Sequence, residues 1–297
     1  MFDSSYDVVK VPVDGGELTV GRWGSGPRTV VAAHGVTANH TSFHPLADAL
    51  GNEFTLLAPD LRGRAGSRDV GPPFGMAAHA DDVAAVVRSL AGGGPVTLLG
   101  HSMGGFVAAV AAARYPDLVS SVVLVDGGLP LDLGPAAALP IEDLLKAVLG
   151  PAIDRLGMTF ESVEAYLDFW RPHPAFAVDW SPYVERYLET DLVEVDGALR
   201  PSTRKEAVVA DTESDLREGV VESSLKELTQ PVVHLRAPRG LLNQEPPLYP
   251  EASLEPWRAV VSQLDTELVE DCNHYTILLA EAPARRVAET VRRLASG

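Results

Sequence analysis

The sequence predicts an α/β fold, a mostly parallel central sheet flanked by helices and interrupted by a helical insertion. Three observations carry this. Over the first 126 residues, short apolar runs bounded by Gly, Pro or Asp alternate with segments of helical periodicity. From Gly127 to Gln230 the strand signal fades and helical segments punctuated by Gly and Pro take over. Strand patterning then returns at Val232. A stretch of about a third of the chain is too long for a structureless loop, so residues 127–230 read as a structured insertion. Residues 1–126 and 231–297 are the two parts of the core.

Taken in order, Val8–Val13 reads as an edge strand, followed by strands at Glu17–Trp23, Thr29–Ala33, Phe54–Ala58, Val96–Leu99 and Val122–Val125. Val83, Val86, Val87 and Leu90 recur at helical spacing within Met76–Leu90, and Gly92-Gly93-Gly94-Pro95 breaks the chain after it. The Ala- and Val-rich stretch Phe106–Arg114 is a second helix, stopped before Pro116. Inside the insertion, Ile141–Leu149, Phe160–Trp170, Tyr183–Leu188 and Glu213–Leu228 have helical patterning, and no strand stands out. Val232–Ala237 and Thr266–Val269 complete the sheet, and Ala284–Leu294 is a closing amphipathic helix.

Composition narrows the function classes. Among 297 residues, 41 acidic and 24 basic side chains give a formal charge of -17. Such a chain is repelled by nucleic-acid phosphates and by anionic lipid, which argues against both as partners. The excess is uneven, since residues 127–230 hold 20 acidic and 9 basic side chains, a net of -11. Cys272 is the only cysteine, so no disulfide closes within the chain, in keeping with a reducing cytoplasm. No apolar run nears the roughly 20 residues of a bilayer span. The opening Met1-Phe2-Asp3-Ser4-Ser5 lacks the charged and apolar stretches of an export signal. A cytoplasmic monomer or homodimer acting on a small molecule is expected.

The chemistry concentrates in Val96-Thr97-Leu98-Leu99-Gly100-His101-Ser102-Met103-Gly104-Gly105: an apolar strand, a G-x-S-x-G turn, then a helix. A serine on so tight a turn projects its hydroxyl above the sheet, and the small glycines leave room for the turn. The helix start places free N–H groups beside it, that of Met103 among them, suited to a developing oxyanion. A nucleophilic hydroxyl needs a base. His274 follows a strand end on the same carboxyl edge of the sheet, where α/β active sites collect.

At these residues the chain resembles the α/β-hydrolase superfamily, and the resemblance spans essentially its whole length. His34-Gly35-Val36 is similar to the family's oxyanion-loop H-G-x element, which implies that Val36 supplies a second N–H. Asp60-Leu61-Arg62-Gly63-Arg64-Ala65-Gly66-Ser67 is similar to its D-x-R-G-x-G-x-S loop, with Ala65 shifting the second glycine by one place. Asn273-His274 matches its histidine loop. The resemblance further implies that residues 127–230 form a cap between the sixth and seventh sheet strands. Phe169, Trp170, Phe176, Trp180 and Tyr183 are then divided between a substrate pocket and the cap's own core. His34, His101, Trp170, Trp180, Tyr183 and Tyr275 are the candidate substrate-binding side chains.

The residue that orients the histidine is open to two readings. Many family members carry an aspartate in a G-x-x-D stretch after the strand at Val232–Ala237, but here that run is Ala237-Pro238-Arg239-Gly240, with Glu245 the first carboxylate beyond. Asp126, at the end of the preceding strand, is the first choice and Glu245 the alternative. No cofactor is expected, and the histidines His34, His40 and His44 lack the carboxylate company of a metal site. The expected activity is hydrolysis of an apolar ester or lactone through an acyl-enzyme. C–C bond hydrolase, amidase and cofactor-free perhydrolase are alternatives on the same triad, and a non-catalytic receptor is the alternative of another class. Cys272 lies two residues before His274, so its modification is expected to block the site by crowding.

Overall fold

A computed structural model describes residues 5–296; residues 1–4, on which the reading of the chain start partly rests, lie outside them. The core begins with strands β1 (Tyr6–Val13), β2 (Gly16–Trp23) and β3 (Arg28–Ala33), then α1 (His44–Leu50), β4 (Phe54–Pro59) and α2 (Met76–Leu90). It continues through β5 (Val96–His101), α3 (Met103–Arg114) and β6 (Val119–Val125). The insertion carries α4 (Ile141–Leu149), α5 (Pro151–Asp154), α6 (Val163–Trp170), α7 (Pro182–Thr190), β7 (Leu192–Val195), β8 (Ala198–Pro201), α8 (Lys205–Glu218) and α9 (Val220–Glu227). The core resumes with β9 (Val232–Arg236), α10 (Glu251–Val260), β10 (Leu264–Leu268), α11 (Thr276–Leu279) and α12 (Glu281–Leu294).

Eight strands form one sheet in the order β1-β2-β4-β3-β5-β6-β9-β10. From β4 to β10 all neighbours run parallel, while β2 is antiparallel to both β1 and β4. Strands covered on both faces must be apolar throughout, and every residue of β5 is buried. One face packs on α2 and α3 through Val83, Val86, Val87, Val107 and Val110. The other packs on α1 and α12, where Val287, Ala288 and Val291 meet Leu46 and Leu50. The small side chains of α3 let it lie so close to the sheet that Met103 through Ala112 are all buried.

Several elements differ from the sequence expectation. The insertion holds a hairpin, β7 and β8, turned at Asp196-Gly197 with φ of 52° and 75°. An Asp-Gly pair between short apolar runs is a hairpin signal that the surrounding helical pattern obscured. The single helix read at Glu213–Leu228 is two, parted at Gly219 in a left-handed conformation with φ 62°. Helix α10 was not foreseen, because its sequence is polar and contains Pro256. No helix among the described residues is long and apolar enough to cross a membrane.

The interior also encloses histidines. Burial pushes His34, His44, His173 and His234 down to about 4 and His101 to about 3, from an ordinary 6.5. His34 shows what neutrality serves: its Nδ1 donates to the Gly35 carbonyl at 2.8 Å and its Nε2 accepts the Leu61 N–H at 2.9 Å. The unfolded chain therefore holds more protons than the folded one between about pH 6.5 and pH 4, and stability falls as pH drops through that window. His234 has neither ring nitrogen hydrogen-bonded and lies edge-on to Tyr249 with centroids 4.8 Å apart. His234→Leu is expected to flatten the decline of Tm between pH 7 and pH 5, with the larger gain at pH 5. Thermal unfolding across that range checks it.

Candidate active site

At the end of β5 the chain turns sharply, with Ser102 at φ 54°, ψ -125° and α3 starting at the next residue. The turn closes because Gly100 and Gly104 lack side chains: a Cβ on Gly100 would lie 2.0 Å from the Gly104 carbonyl oxygen, and one on Gly104 2.0 Å from that of Ala33. Backbone bonds from Ser102 N–H to Val125 O at 3.0 Å and from Gly105 N–H to Ser102 O at 2.9 Å hold the strained residue in place.

The neighbouring strand delivers the carboxylate. Asp126, the first residue after β6, has φ 43° and donates its N–H to Leu235 O at 2.7 Å. Its Oδ1 accepts the Ala237 N–H at 3.0 Å, and its Oδ2 accepts the Nδ1–H of His274 at 2.7 Å. Both side chains are buried. Because Nδ1 carries the proton, Nε2 is the basic nitrogen of the ring. Glu245 is exposed on the loop after β9, and no bond joins it to His274.

His274 is held by more than its acid. His101 Nε2 donates to the His274 carbonyl at 2.8 Å, with the two rings 4.7 Å apart between centroids. Its depressed pKa keeps His101 neutral, with the single ring proton committed to that carbonyl. Asn273 Oδ1 accepts the N–H groups of Tyr275 and Thr276, both at 3.0 Å, and its Nδ2 donates to Ala175 O in the insertion at 2.9 Å.

Among the described residues, the N–H groups of Val36 and Met103 have no hydrogen-bond acceptor, and both residues line the cavity space beside Ser102. The loop carrying Val36 is clamped from behind. Arg64, fully buried, donates from Nε to Val36 O at 3.0 Å and from Nη1 to Arg62 O at 2.9 Å, while its Nη2 lies 3.9 Å from Met103 Sδ. Its charge is answered by Asp211 of α8 at 2.6 Å. Burial alone would push the Asp211 carboxyl up, but His79 and Arg64 together hold it well below the usual carboxylate range. One residue on, Arg155 donates to Thr37 O at 3.0 Å and pairs with Asp191 at 2.9 Å.

Two cavities meet at Ser102. The smaller, about 30 Å³, is lined by Thr37, Ser42, His101, Tyr187, Leu241, His274 and Tyr275 among others. The larger, about 110 Å³, is walled by Met76, Phe106, Leu131, Leu144, Leu145 and Leu149, with Asp211, Thr212 and Asp215 of α8. Of the candidate substrate-binding residues, His101 and Tyr275 face this space, and four do not. His34 is consumed by its two backbone bonds. Trp170 is packed in the insertion core with Tyr166 and Phe176. Trp180 donates to Glu185 at 2.7 Å beneath Arg171, and Tyr183 donates to Asp48 at 2.7 Å. Leu241, Tyr187 and the leucines of the insertion take their place. Cys272 is fully buried, donates to Val269 O at 3.1 Å and has its pKa pushed up to about 12, so the expected sensitivity to thiol reagents has no accessible thiolate to act through.

Sheet topology, the strand-turn-helix serine and the histidine loop together define a hydrolase scaffold. The chain belongs to the alpha/beta hydrolase fold family, whose pattern matches residues 28–280. It is 34% identical over 266 residues to 2-(acetamidomethylene)succinate hydrolase of Mesorhizobium japonicum, covering 89% of this chain and 87% of that one. It is 28% identical over 204 residues to a pimeloyl-[acyl-carrier protein] methyl ester esterase of Neisseria meningitidis, covering 64% and 68%. Among solved structures, E-2-(acetamidomethylene)succinate hydrolase superposes with a TM-score of 0.79 at 26% identity over 99% of this chain and 100% of that one. The thioesterase domain of the curacin biosynthetic pathway shares the fold, with a TM-score of 0.72 at 19% identity over 97% and 99% of the two chains.

Asp211→Asn leaves the Arg64 guanidinium buried without its counter-charge and is expected to cost about 3–5 kcal/mol of stability. Replacing both partners, Arg64→Met with Asp211→Leu, is expected to recover only part of that loss, because the Val36 and Arg62 carbonyls and the Gly75 N–H still lose their partners. Urea denaturation of the three proteins measures it.

Proposed function

We propose that the protein is a serine hydrolase that cleaves a small, uncharged-at-the-carbonyl carboxylic ester through an acyl-enzyme. Ser102 Oγ attacks the carbonyl carbon as His274 Nε2 takes its proton. Asp126 fixes the tautomer and balances the imidazolium, and the N–H groups of Val36 and Met103 receive the oxyanion. The imidazolium then protonates the leaving alcohol. Water, activated by the same nitrogen, attacks the acyl carbon and releases the acid and free Ser102. The observation that carries the reading is the 2.7 Å bond from His274 to Asp126 at the strand ends flanking the strained serine, with His274 and Ser102 lining one cavity.

Residues 127–230 act here as a cap, since α4 and α8 wall the larger cavity. Cavities of about 30 and 110 Å³ suit groups no larger than about a benzene ring, which an engineered cavity of about 150 Å³ holds. Short acyl and alcohol groups, or a small lactone, fit that space. The kinship to the hydrolase of an acetamido compound favours an amide as second reading. Among the described residues no Lys or Arg lines either cavity, so none of them offers the succinate half of that compound a cationic counterpart. Arg62 is spent on Asp82, Arg68 on Ser202 O, Arg171 on Glu164 and Asp168, and Arg239 on Asn243.

A fluorophosphonate probe is expected to label Ser102, and Ser102→Ala to abolish turnover of short p-nitrophenyl esters; full turnover by that variant would sink the proposal. Asp126→Asn is expected to lower kcat by about 10⁴-fold, the scale of triad acids, while Glu245→Gln leaves it in place. Steady-state kinetics of the two variants separate the two carboxylates.

A further inference from the structure

The larger cavity beside Ser102 is apolar except at one wall. Ten of its described lining residues are Val, Met, Phe or Leu, and the other described ones are Ser102 itself with Asp211, Thr212 and Asp215. The three residues from α8 lie at i, i+1 and i+4, so one face of that helix closes the space. The two aspartates differ in their company. Asp211 is answered by Arg64, His79 and the Gly75 N–H. Asp215 has no hydrogen-bonded or ionic partner among the described residues, and burial pushes its carboxyl up to about 6. Near neutral pH it is ionised against apolar walls, a condition that a cation in the cavity would relieve and an anion would worsen.

We propose that Asp215 makes this cavity an ammonium subsite, so that the preferred esters carry a positive charge joined to the ester by a short apolar link. The proposal deepens the reading of the site as an ester hydrolase and rests on it. An amphiphilic lining of this kind matches an amphiphilic group: the leucines of the insertion and Phe106 enclose methylene or methyl groups, and Asp215 meets the charge. A wholly apolar chain would leave the partly buried carboxylate unpaired, and a substrate with a second carboxylate would be repelled by it.

The test uses isosteric pairs that differ only in charge. Butyrylcholine is compared with 3,3-dimethylbutyl butyrate, which places the cation on the alcohol side. The p-nitrophenyl esters of 4-(trimethylammonio)butanoic and 5,5-dimethylhexanoic acid place it on the acyl side. For at least one pair, kcat/KM at pH 8 is expected to favour the cation by about tenfold or more, as for a partly desolvated charge pair. That ratio is expected to approach unity at pH 5, where Asp215 is protonated, and in Asp215→Asn at pH 8. Glu161→Gln, which removes an exposed carboxylate elsewhere on the insertion, is expected to keep it. The ratio is read within each protein, so a general loss of activity does not disturb it, and the pH series on the unaltered chain stands if the variant misfolds. Turnover with a ratio near one in both pairs, a ratio that survives Asp215→Asn, or one that Glu161→Gln also removes would overturn the subsite while leaving the hydrolase standing. If no ester is cleaved, the hydrolase reading fails and the subsite is judged by calorimetry of choline against 3,3-dimethylbutanol. Pairing predicts that only choline binds, and only above pH 6; equal binding or none overturns it.

Discussion

Two buried guanidiniums fix the loop after β3, and the order of the whole site depends on them. Arg64 grips the carbonyl of Val36 and Arg155 that of Thr37, so two successive peptide units are held while Val36 lines the cavity beside Ser102. A guanidinium taken fully out of water must be paired, and both partners, Asp211 and Asp191, belong to the insertion. Core and insertion are thereby bound to a single electrostatic arrangement. The insertion completes the loop as well as covering it, and its seating reaches Ser102 through Met103, which Arg64 also touches.

Around that loop, the parallel strands do the gathering. In a parallel sheet all carboxyl ends open on one edge, so residues distant in sequence become neighbours there. The ends of β3, β5 and β6 bring Gly35, Ser102 and Asp126 to that edge, and the loop after β10 brings His274. Each is then over-determined locally: Ser102 by glycines on both sides, Asp126 by the backbone of Leu235 and Ala237, and His274 by Asp126, His101 and the Asn273 cap. Such redundancy is what lets two non-glycine residues, Ser102 and Asp126, keep positive φ.

What was legible in the sequence follows the range of the interactions. The strand-turn-helix around Ser102 and the loop position of His274 are written locally, in glycine spacing and apolar runs. Asp126 was readable only as one of two carboxylates, because its bond to His274 rests on strand pairing between β6 and β9. The walls of the site were not readable. Trp170, Trp180 and Tyr183 have the composition of a pocket, yet they pack within the insertion or bond at its edge. Leucines at ordinary helical spacing in α4 line the cavity instead. Nor does any local signal pair Arg64 with Asp211 or Arg155 with Asp191, since burial of a charge is decided by the folded whole.

The side of the sheet from which the histidine's carboxylate comes has a consequence for the loop after β9. In a chain whose acid sits on that loop, its conformation is tied to the histidine. Here Asp126 reaches back from β6 and asks only for the N–H of Ala237, a backbone group that almost any residue supplies. Beyond that point the loop carries no acid, but Leu241 borders the cavity, and Arg239 and Asn243 are tied to Asn273. Leu241 is therefore a position where exchange reshapes one wall of the pocket without touching the bond between His274 and Asp126, so long as Arg239 and Asn243 keep their ties to Asn273.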